Sequence, residues 1–491
     1  MRQLITRTGL EYLNHLSRSS AGDWALKREL AAAYLRIGMV QDGSSSSNLG
    51  DAPAALASFQ SAGRLLDEVL RQSPADRQAR LDRMTVFSEV ANLQQQTGQF
   101  QAANTAAEAG LRISQSLLSA NANDLAAAQA AGLFHLELAR LRQESDNPDA
   151  AQSEGAAGVR LLRQVVDANP DNREAQLDLA ESHARLGSLQ LNLGRPQDAL
   201  ANFRSQAAVL DALCQRFPSD TAARHALMLA YSHLGDTLGN PEYANAGDLS
   251  GAFQAYRKVA EAAKLLYDAD PADVRALSDY GIALLRLGLV TPAGPAKREA
   301  FEDSAELLSR AAARNPQSRM IASHKTWVES ELAALFLSSG DRAAGMRYYQ
   351  TAMTTAEKAL AAAPKDTSSL KGLVVAVRGL AEEQARAGAR AAALASLDHA
   401  LTPAGTLDAS APPSALAFRV NIARSWQAAG SVYAILSTAE RGPQSAQDRD
   451  AARTWYRRAV GEWHRLESQK GFQAPMQKEM AEAMQALGGL R

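Results

Sequence analysis

The spacing between helix-capping residues constrains this chain more than any other feature. Side chains able to cap a helix N-terminus recur at Asp23, Asp76, Asp124, Asn172, Asp220, Asp273, Ser318, Asp366 and Ser414. From Asp76 onward the steps are 48, 48, 48, 53, 45, 48 and 48 residues. A fixed period of this size is typical of stacked repeats in which each unit contacts only its neighbours. The spacing therefore predicts a repeat stack with an extended binding surface and no buried reaction centre.

Composition narrows the fold and the partners. The chain is 46% apolar and 21% charged, which favours a folded protein over a disordered one. Abundant alanine and only 5% aromatic residues favour closely packed helices. With 52 basic and 53 acidic residues the net charge is −1, so no strong field attracts nucleic acid, and none is predicted as a partner.

Cysteine content and hydropathy bear on cofactors and location. The one cysteine, Cys214, cannot form an internal disulfide or a zinc site, and we interpret it as a small buried apolar residue. No apolar run reaches the roughly 18 residues that a membrane helix needs. Residues 1–7 lack the apolar core of a secretory signal. We therefore expect a cytoplasmic protein with no membrane segment, although repeats of membrane kinases can lie outside the cytoplasm.

Each unit is predicted to contain two helices joined by a turn. In the unit from Asn172 to Pro218, apolar residues recur at helical spacing, Gly194 ends the first helix and Pro196 starts the second. The expected fold is an all-α, right-handed α-solenoid of about nine antiparallel helix pairs with a capping helix at each end. The predicted pairs cover 23–37/52–72, 76–96/101–119, 124–143/148–167, 172–193/197–216, 221–237/249–268, 273–288/297–314, 319–339/342–361, 366–387/389–401 and 414–436/446–468.

Four segments follow from this pattern. Residues 1–19 are predicted to form an N-terminal capping helix, and residues 20–401 the solenoid. Residues 402–413 are rich in Ala, Pro, Gly and Ser, which predicts a loop and a possible hinge. Residues 414–491 are predicted to hold the terminal repeat and a C-terminal capping helix.

The second helices carry a small residue followed four positions later by a ring. The five examples are Ala55/Phe59, Ala199/Phe203, Ala252/Tyr256, Ala344/Tyr348 and Ala452/Tyr456. A small residue lets a helix pair close, and the ring fills the gap one turn later. This pattern resembles the tetratricopeptide repeat over nearly the whole chain. The usual repeat of that family has 34 residues, so both helices here are expected to be longer.

A second resemblance covers residues 2–72. The segments 10–13, 27–38, 48–51 and 54–59 resemble the region that follows the membrane helix in bacterial serine/threonine kinases with C-terminal tetratricopeptide repeats. In that family the repeats form a sensor or docking region. The chain has no Gly-rich phosphate loop, His-Arg-Asp loop or Asp-Phe-Gly triplet, so kinase activity does not transfer. The resemblance implies a kinase-free relative or part of a larger chain.

No motif for chemistry stands out. The sequence lacks a nucleophile elbow, a Walker loop, a dinucleotide fingerprint and a His-Glu-x-x-His helix. Its eight histidines are scattered, and His225 and His233 lie eight residues apart without a third ligand. We therefore predict no catalytic residue, no metal site and no cofactor. An enzyme with an unfamiliar site is the weakest of three hypotheses.

The leading hypothesis is a non-catalytic scaffold that binds a peptide or protein partner. As the tetratricopeptide resemblance implies, the first helices would line a concave groove, and charged side chains would contact the partner. The candidate groove residues are Arg28, Arg83, Glu181, Arg224 and Lys325. Trp455 and Trp463 are either further partner contacts or core residues of the last repeat. The main alternative is a regulatory region of a bacterial serine/threonine kinase signalling system.

Overall fold

The computed structural model contains twenty α-helices and no β-strand among the residues that it describes. Those residues are 2–20, 22–42, 51–145, 147–241, 245–410, 412, 415–439, 442–469, 472 and 474–490. The helices are Arg2–Ser19 (α1), Trp24–Gln41 (α2), Ala52–Gln72 (α3), Arg77–Gln96 (α4), Phe100–Ala120 (α5), Leu125–Glu144 (α6), Pro148–Ala168 (α7), Arg173–Asn192 (α8), Pro196–Arg216 (α9), Thr221–Gly239 (α10), Leu249–Ala269 (α11), Val274–Val290 (α12), Pro295–Arg314 (α13), Arg319–Ser338 (α14), Arg342–Ala362 (α15), Thr367–Arg386 (α16), Arg390–Ser410 (α17), Leu416–Ala439 (α18), Pro443–Leu466 (α19) and Ala474–Gly489 (α20).

The helices follow the predicted order of pairs. Even-numbered helices from α2 to α18 are the first helices, and each is followed by the second helix of its pair. Most first helices pack on the second helix of their pair, as α2 does on α3, and second helices also pack on the first helix of the next pair, as α3 does on α4. The helix α1 packs on α2, and α20 packs on α19. The all-α solenoid of helix pairs is thus confirmed.

The predicted caps are confirmed wherever the structure describes them. A side-chain oxygen of each accepts a hydrogen bond from a backbone N–H in the first turn of the following helix. These caps are Asp23, Asp76, Asp124, Asn172, Asp220, Asp273, Ser318 and Asp366. Ser414 and residues 43–50 lie outside the described residues.

Several caps also bind the preceding unit. The guanidinium of Arg77 donates two hydrogen bonds of 2.7 Å to the carboxylate of Asp124, and Arg173 forms the equivalent ion pair with Asp220. Arg28 approaches Asp76 to 3.5 Å. One carboxylate therefore fixes its own helix and also joins it to the helix pair before it.

Rings of the second helices pack on glycines of the first helices. Phe59 and Tyr256 are wholly buried. A Cβ atom added to Gly38 would lie 2.4 Å from the Phe59 ring, and one added to Gly235 would lie 2.5 Å from the Tyr256 ring. Gly38 and Gly235 lie in the last turns of their helices, where the absence of a side chain lets the ring approach the backbone. These contacts between rings and glycines make the pairs tetratricopeptide-like.

The prediction of a loop over 402–413 is wrong for residues 402–410, which continue α17 despite Pro403. Ala404 is almost completely buried, and Leu401 and Leu407 pack against the core of the last repeat. Tertiary packing of this face outweighs the unfavourable helix propensity of proline.

The chain divides into two compact units, Met1–Leu227 and Met228–Arg491. The first unit contains α1 to α9, the second contains α11 to α20, and the boundary falls within α10. This division differs from the predicted segments at 1–19, 20–401 and 414–491, which remain predictions.

Candidate functional site

A cavity of about 270 Å³ opens between two consecutive first helices of the second unit, α14 and α16. We call it the α14–α16 cavity. It is lined by Ser323, His324, Trp327, Ser330, Glu331, Ser368, Lys371, Gly372 and Val375. The two helices pack directly on each other, so the cavity is a recess in a continuous row of first helices. A recess of this size accommodates one or two side chains of a ligand.

The α14 wall presents aromatic and apolar surface. Trp327 is partly buried, and its indole N–H donates a hydrogen bond of 3.2 Å to the carboxylate of Glu331 one turn later. This bond holds the indole in one orientation. The His324 ring lies 6.3 Å from the Trp327 ring, and Met320, one turn earlier, is 47% exposed.

His324 is a neutral member of this wall. Its Nδ1 atom lies 2.8 Å from the carbonyl oxygen of Met320, which assigns the proton to Nδ1. Burial lowers the pKa of His324 below its usual value, and the positive charge of Arg286 lowers it further, whereas Asp236 opposes this effect. The imidazole therefore adds polar surface without charge at neutral pH.

The α16 wall combines a small residue, a cation and an apolar side chain. A Cβ atom added to Gly372 would lie 2.8 Å from Cγ2 of Thr326, so glycine is what lets α16 approach α14 here. Lys371 lines the cavity beside it, and Val375, one turn later, is 43% exposed. The site therefore has an apolar side chain on each wall, Trp327 and Val375, with Glu331 on the α14 wall and Lys371 on the α16 wall.

The predicted groove residue Lys325 does not line this cavity. Its ammonium group pairs with Glu329 and donates a 3.2 Å hydrogen bond to Thr355 of α15, so it faces the second helix of its own pair. The neighbouring His324 faces the cavity instead. Because successive helix residues differ by about 100° in direction, a displacement of one residue selects a different face.

Two other predicted residues join helices rather than forming a free groove. Arg28 pairs with the cap Asp76, as described above. Arg83 pairs with Asp67 of α3 at 2.7 Å and stacks on the ring of Phe87 at 3.9 Å. Arg83 therefore lies on the side of α4 that faces the second helices, not on the predicted first-helix face.

Glu181 and Arg224 lie elsewhere in the stack. Glu181 is exposed on α8 and accepts a hydrogen bond from Arg185 one turn later. Arg224 is partly exposed in the first turn of α10, near Cys214.

Cys214 is only partly buried, and this burial raises the pKa of its thiol, which disfavours a reactive thiolate.

The two predicted tryptophans differ. Trp463 is wholly buried, and its indole N–H donates a 3.2 Å hydrogen bond to Gln427, so we assign it to the core and correct its prediction as a partner contact. Trp455 is partly buried, and the guanidinium of Arg458 lies 5.0 Å from its ring. The sequence analysis did not identify Trp327, which lines the α14–α16 cavity. The sequence feature that could have revealed it is the helical spacing of Met320, His324 and Trp327.

The described part of the chain contains no cluster of three or more His, Cys, Asp or Glu side chains arranged to hold a metal ion. None of its helices combines the length and the apolar character required to cross a bilayer.

No protein-family model and no curated protein match the chain. Similar solved structures include a tetratricopeptide repeat protein from Parabacteroides merdae, with 12% identity, 65% of this chain and 93% of that chain covered, and a TM-score of 0.34. The nuclear import adaptor Nro1 has 12% identity and a TM-score of 0.44, with 66% of this chain and 99% of that chain covered. A monomeric mutant of IFIT1 with Gppp-AAAA has 13% identity and a TM-score of 0.32, with 96% of this chain and 91% of that chain covered.

At these identities and TM-scores the comparisons identify no ligand for this chain. The tetratricopeptide-like assignment rests on the helix pairs, their caps and the contacts between rings and glycines. The resemblance of residues 2–72 to kinase-associated repeats remains a prediction, as does the absence of nucleic acid among the partners.

Proposed function

We propose that this protein is a non-catalytic scaffold that binds a peptide segment of a partner protein along the first helices of the second unit. The observation that supports the proposal is the α14–α16 cavity, where the indole of Trp327 forms one wall of a recess of about 270 Å³. Aromatic side chains in such recesses are frequent anchors of binding energy.

The chemistry of the recess suits a short peptide. An apolar or aromatic side chain of the peptide would enter between Trp327 and Val375. The hydroxyl groups of Ser323 and Ser368 line the same recess and can donate hydrogen bonds to peptide carbonyl oxygens. Lys371 and Glu331 line the same recess, so the surroundings of the anchor are polar.

A peptide selection tests the proposal. A displayed library of random peptides is selected on the full chain, and the affinity of the winning sequence is measured by fluorescence anisotropy. Replacing Trp327 by Ala, or Val375 by Glu, is expected to weaken binding by at least about tenfold, since truncating an anchor commonly costs 1–2 kcal/mol or more.

The matched control is Trp24→Ala, which removes a 38% exposed tryptophan from α2 in the first unit. This control should bind the selected peptide as the unmodified chain does. Failure to select any peptide with an apolar anchor would contradict the proposal, as would undiminished binding by both cavity variants.

A further inference from the structure

The second helices of the first unit border a separate and larger opening. Two adjoining cavities of about 460 and 600 Å³ lie between α3 and α5, with α4 as their floor. They share Asp67, Arg83, Phe87 and Ala109, so they form one continuous space. We call this space the α3–α5 channel.

The residues of α4 that line the channel have the spacing of a helix-packing seam. They include Arg80, Arg83, Phe87, Val90 and Gln94, which are separated by steps of three, four, three and four residues. Steps that alternate in this way are the a and d positions of a heptad, the positions that a helix turns toward a partner helix.

Both walls of the channel show the same spacing. On α3 the lining residues include Gln60, Gly63, Asp67 and Leu70, and on α5 they include Ala102, Ala106, Ala109, Ile113 and Ser116. Three helices thus direct heptad seams into one space. This is the arrangement of a four-helix bundle in which the position of the fourth helix is open.

Small side chains leave room for a helix in that position. Ala102, Ala106 and Ala109 project only methyl groups from α5, whereas on α3 the space beside Gly63 holds the guanidinium of Arg83, which pairs with Asp67. The helix α3 packs on α4, and α4 packs on α5. From Arg80 to Gln94 the floor is about 21 Å long at 1.5 Å per residue, which corresponds to about four helical turns.

The charged residues that line the channel indicate which kind of helix could bind there. Phe87, Val90 and Ile113 give it a half-buried apolar floor and wall. Its one lining carboxylate, Asp67, is paired with Arg83. This leaves the rim positively charged.

Three arginines line this rim. Arg64 donates a hydrogen bond to Ser61, Arg80 donates one to the carbonyl of Pro74, and Arg112 is exposed. The structure gives none of the three an acidic partner within the part of the chain that it describes. An occupant with acidic residues flanking an apolar stripe would neutralise them.

We propose that the α3–α5 channel binds an amphipathic helix of about four turns from a partner protein, with an apolar stripe facing Phe87 and acidic residues facing the arginine rim. The channel lies in the first unit, whereas the α14–α16 cavity lies in the second unit and on different helices. The two proposals can therefore be tested independently of each other.

Two designed peptides serve as probes. Both have about 16 residues, a helix-forming backbone and leucine at the a and d positions. One carries glutamate at the flanking e and g positions, and the other carries lysine there. Binding to the full chain is measured by fluorescence anisotropy at low and at high salt. The glutamate peptide is expected to bind at least about tenfold more tightly, with a difference that shrinks as salt rises.

Two variants locate the binding surface. The double variant Arg64→Glu and Arg112→Glu should reverse the preference between the peptides, because both arginines are exposed and their replacement leaves the packing intact. Ala109→Trp should block both peptides by filling the channel. The control replaces two exposed arginines on other second helices, Arg160→Glu and Arg204→Glu, and should leave the preference unchanged.

Equal binding of the two peptides, or no binding of either, would overturn the proposal. Retention of the glutamate peptide by the charge-reversed variant would do so as well. If the chain self-associates in light-scattering measurements and Ala109→Trp abolishes the association, a second copy of the chain occupies the channel. The proposal that a helix of a different protein binds there would then be wrong. Circular dichroism of each variant verifies folding. If Ala109→Trp unfolds the chain, the charge-reversed variant still tests whether the channel binds the peptides.

Discussion

The α14–α16 cavity and the α3–α5 channel are built from the same kind of helix pair but differ in which helices contact each other. Two first helices contact each other at the cavity because Gly372 lets α16 approach Thr326. At the channel, α4 separates the two second helices that form the walls. The cavity is therefore the size of a side chain, whereas the channel is the size of a helix.

The two sites also differ in how charge is arranged. Lys371 and Glu331 place opposite charges on the two walls of the cavity. The channel has an apolar floor and a rim of arginines, with Asp67 already paired. The proposed ligands differ accordingly: a peptide for the cavity and an acidic amphipathic helix for the channel.

The largest expected effect separates a binding tryptophan from a core tryptophan. Trp463 is wholly buried, so Trp463→Ala should lower the free energy of unfolding by about 3–5 kcal/mol. Trp327→Ala, at the cavity wall, should cost no more than about 1 kcal/mol because its side chain is only partly buried. Urea unfolding followed by circular dichroism measures both. Equal losses would show that Trp327 is a core residue and would remove the anchor from the cavity.

The next effect tests the difference in helix approach. Gly372→Ala would bring a methyl group to 2.8 Å from the buried, β-branched Thr326, which has little freedom to move. We expect a loss of about 1–3 kcal/mol in the free energy of unfolding from this overpacking.

Gly63→Ala in the channel wall is the matched comparison. Its new methyl group would lie 2.9 Å from the guanidinium of Arg83, the mobile end of a long side chain. The arginine can shift, and alanine favours the helix by roughly 0.5–1 kcal/mol, so stability should be unchanged or higher. Thermal unfolding of the two variants tests the contrast. A Gly63→Ala variant as unstable as Gly372→Ala would mean that the channel walls are packed tightly.

The smallest expected effect concerns the cap ion pairs of the unit that contains the channel. The hydrogen bond from Arg173 lowers the pKa of Asp220 to about 2, and Arg77 likewise holds the pKa of Asp124 below its usual value. Because the folded-state pKa is lowered, this stabilisation is complete above about pH 4 and is lost as the pH falls toward 2.

Asp220→Asn isolates this charge, since asparagine still caps a helix. At pH 5 the variant should be less stable by about 1 kcal/mol, the size of a partly screened surface pair, and the difference should vanish near pH 2. Urea unfolding at several pH values checks this. A difference that is constant with pH would show that the cap alone, and not the ion pair, is responsible.

The sequence predicted the helices well because their ends are determined locally. A carboxylate or amide such as Asp124 or Asn172 bonds to the turn that follows it, whatever the rest of the fold. The loop predicted around Pro403 was wrong because burial of Ala404 depends on distant residues that a local pattern does not include.

The residues that line the candidate sites were harder to predict because their positions depend on the direction in which each side chain points. Lys325 and His324 are neighbours in the sequence, yet one faces α15 and the other lines the cavity. Arg83 has the charge expected of a groove residue but points toward the second helices. The α3–α5 channel needs three helices to be placed together, so no single stretch of sequence reveals it.

The double use of the cap carboxylates bears on how such a chain can change its length. Arg28 meets Asp76, and Arg173 meets Asp220, across junctions of the same chemistry. Excising residues 77–172 would bring Asp76 directly before Arg173 and would leave both of those junctions intact. Loss of two whole units would therefore preserve the cap ion pairs on both sides of the excision, whereas the packing of α3 on α8 would have to form anew.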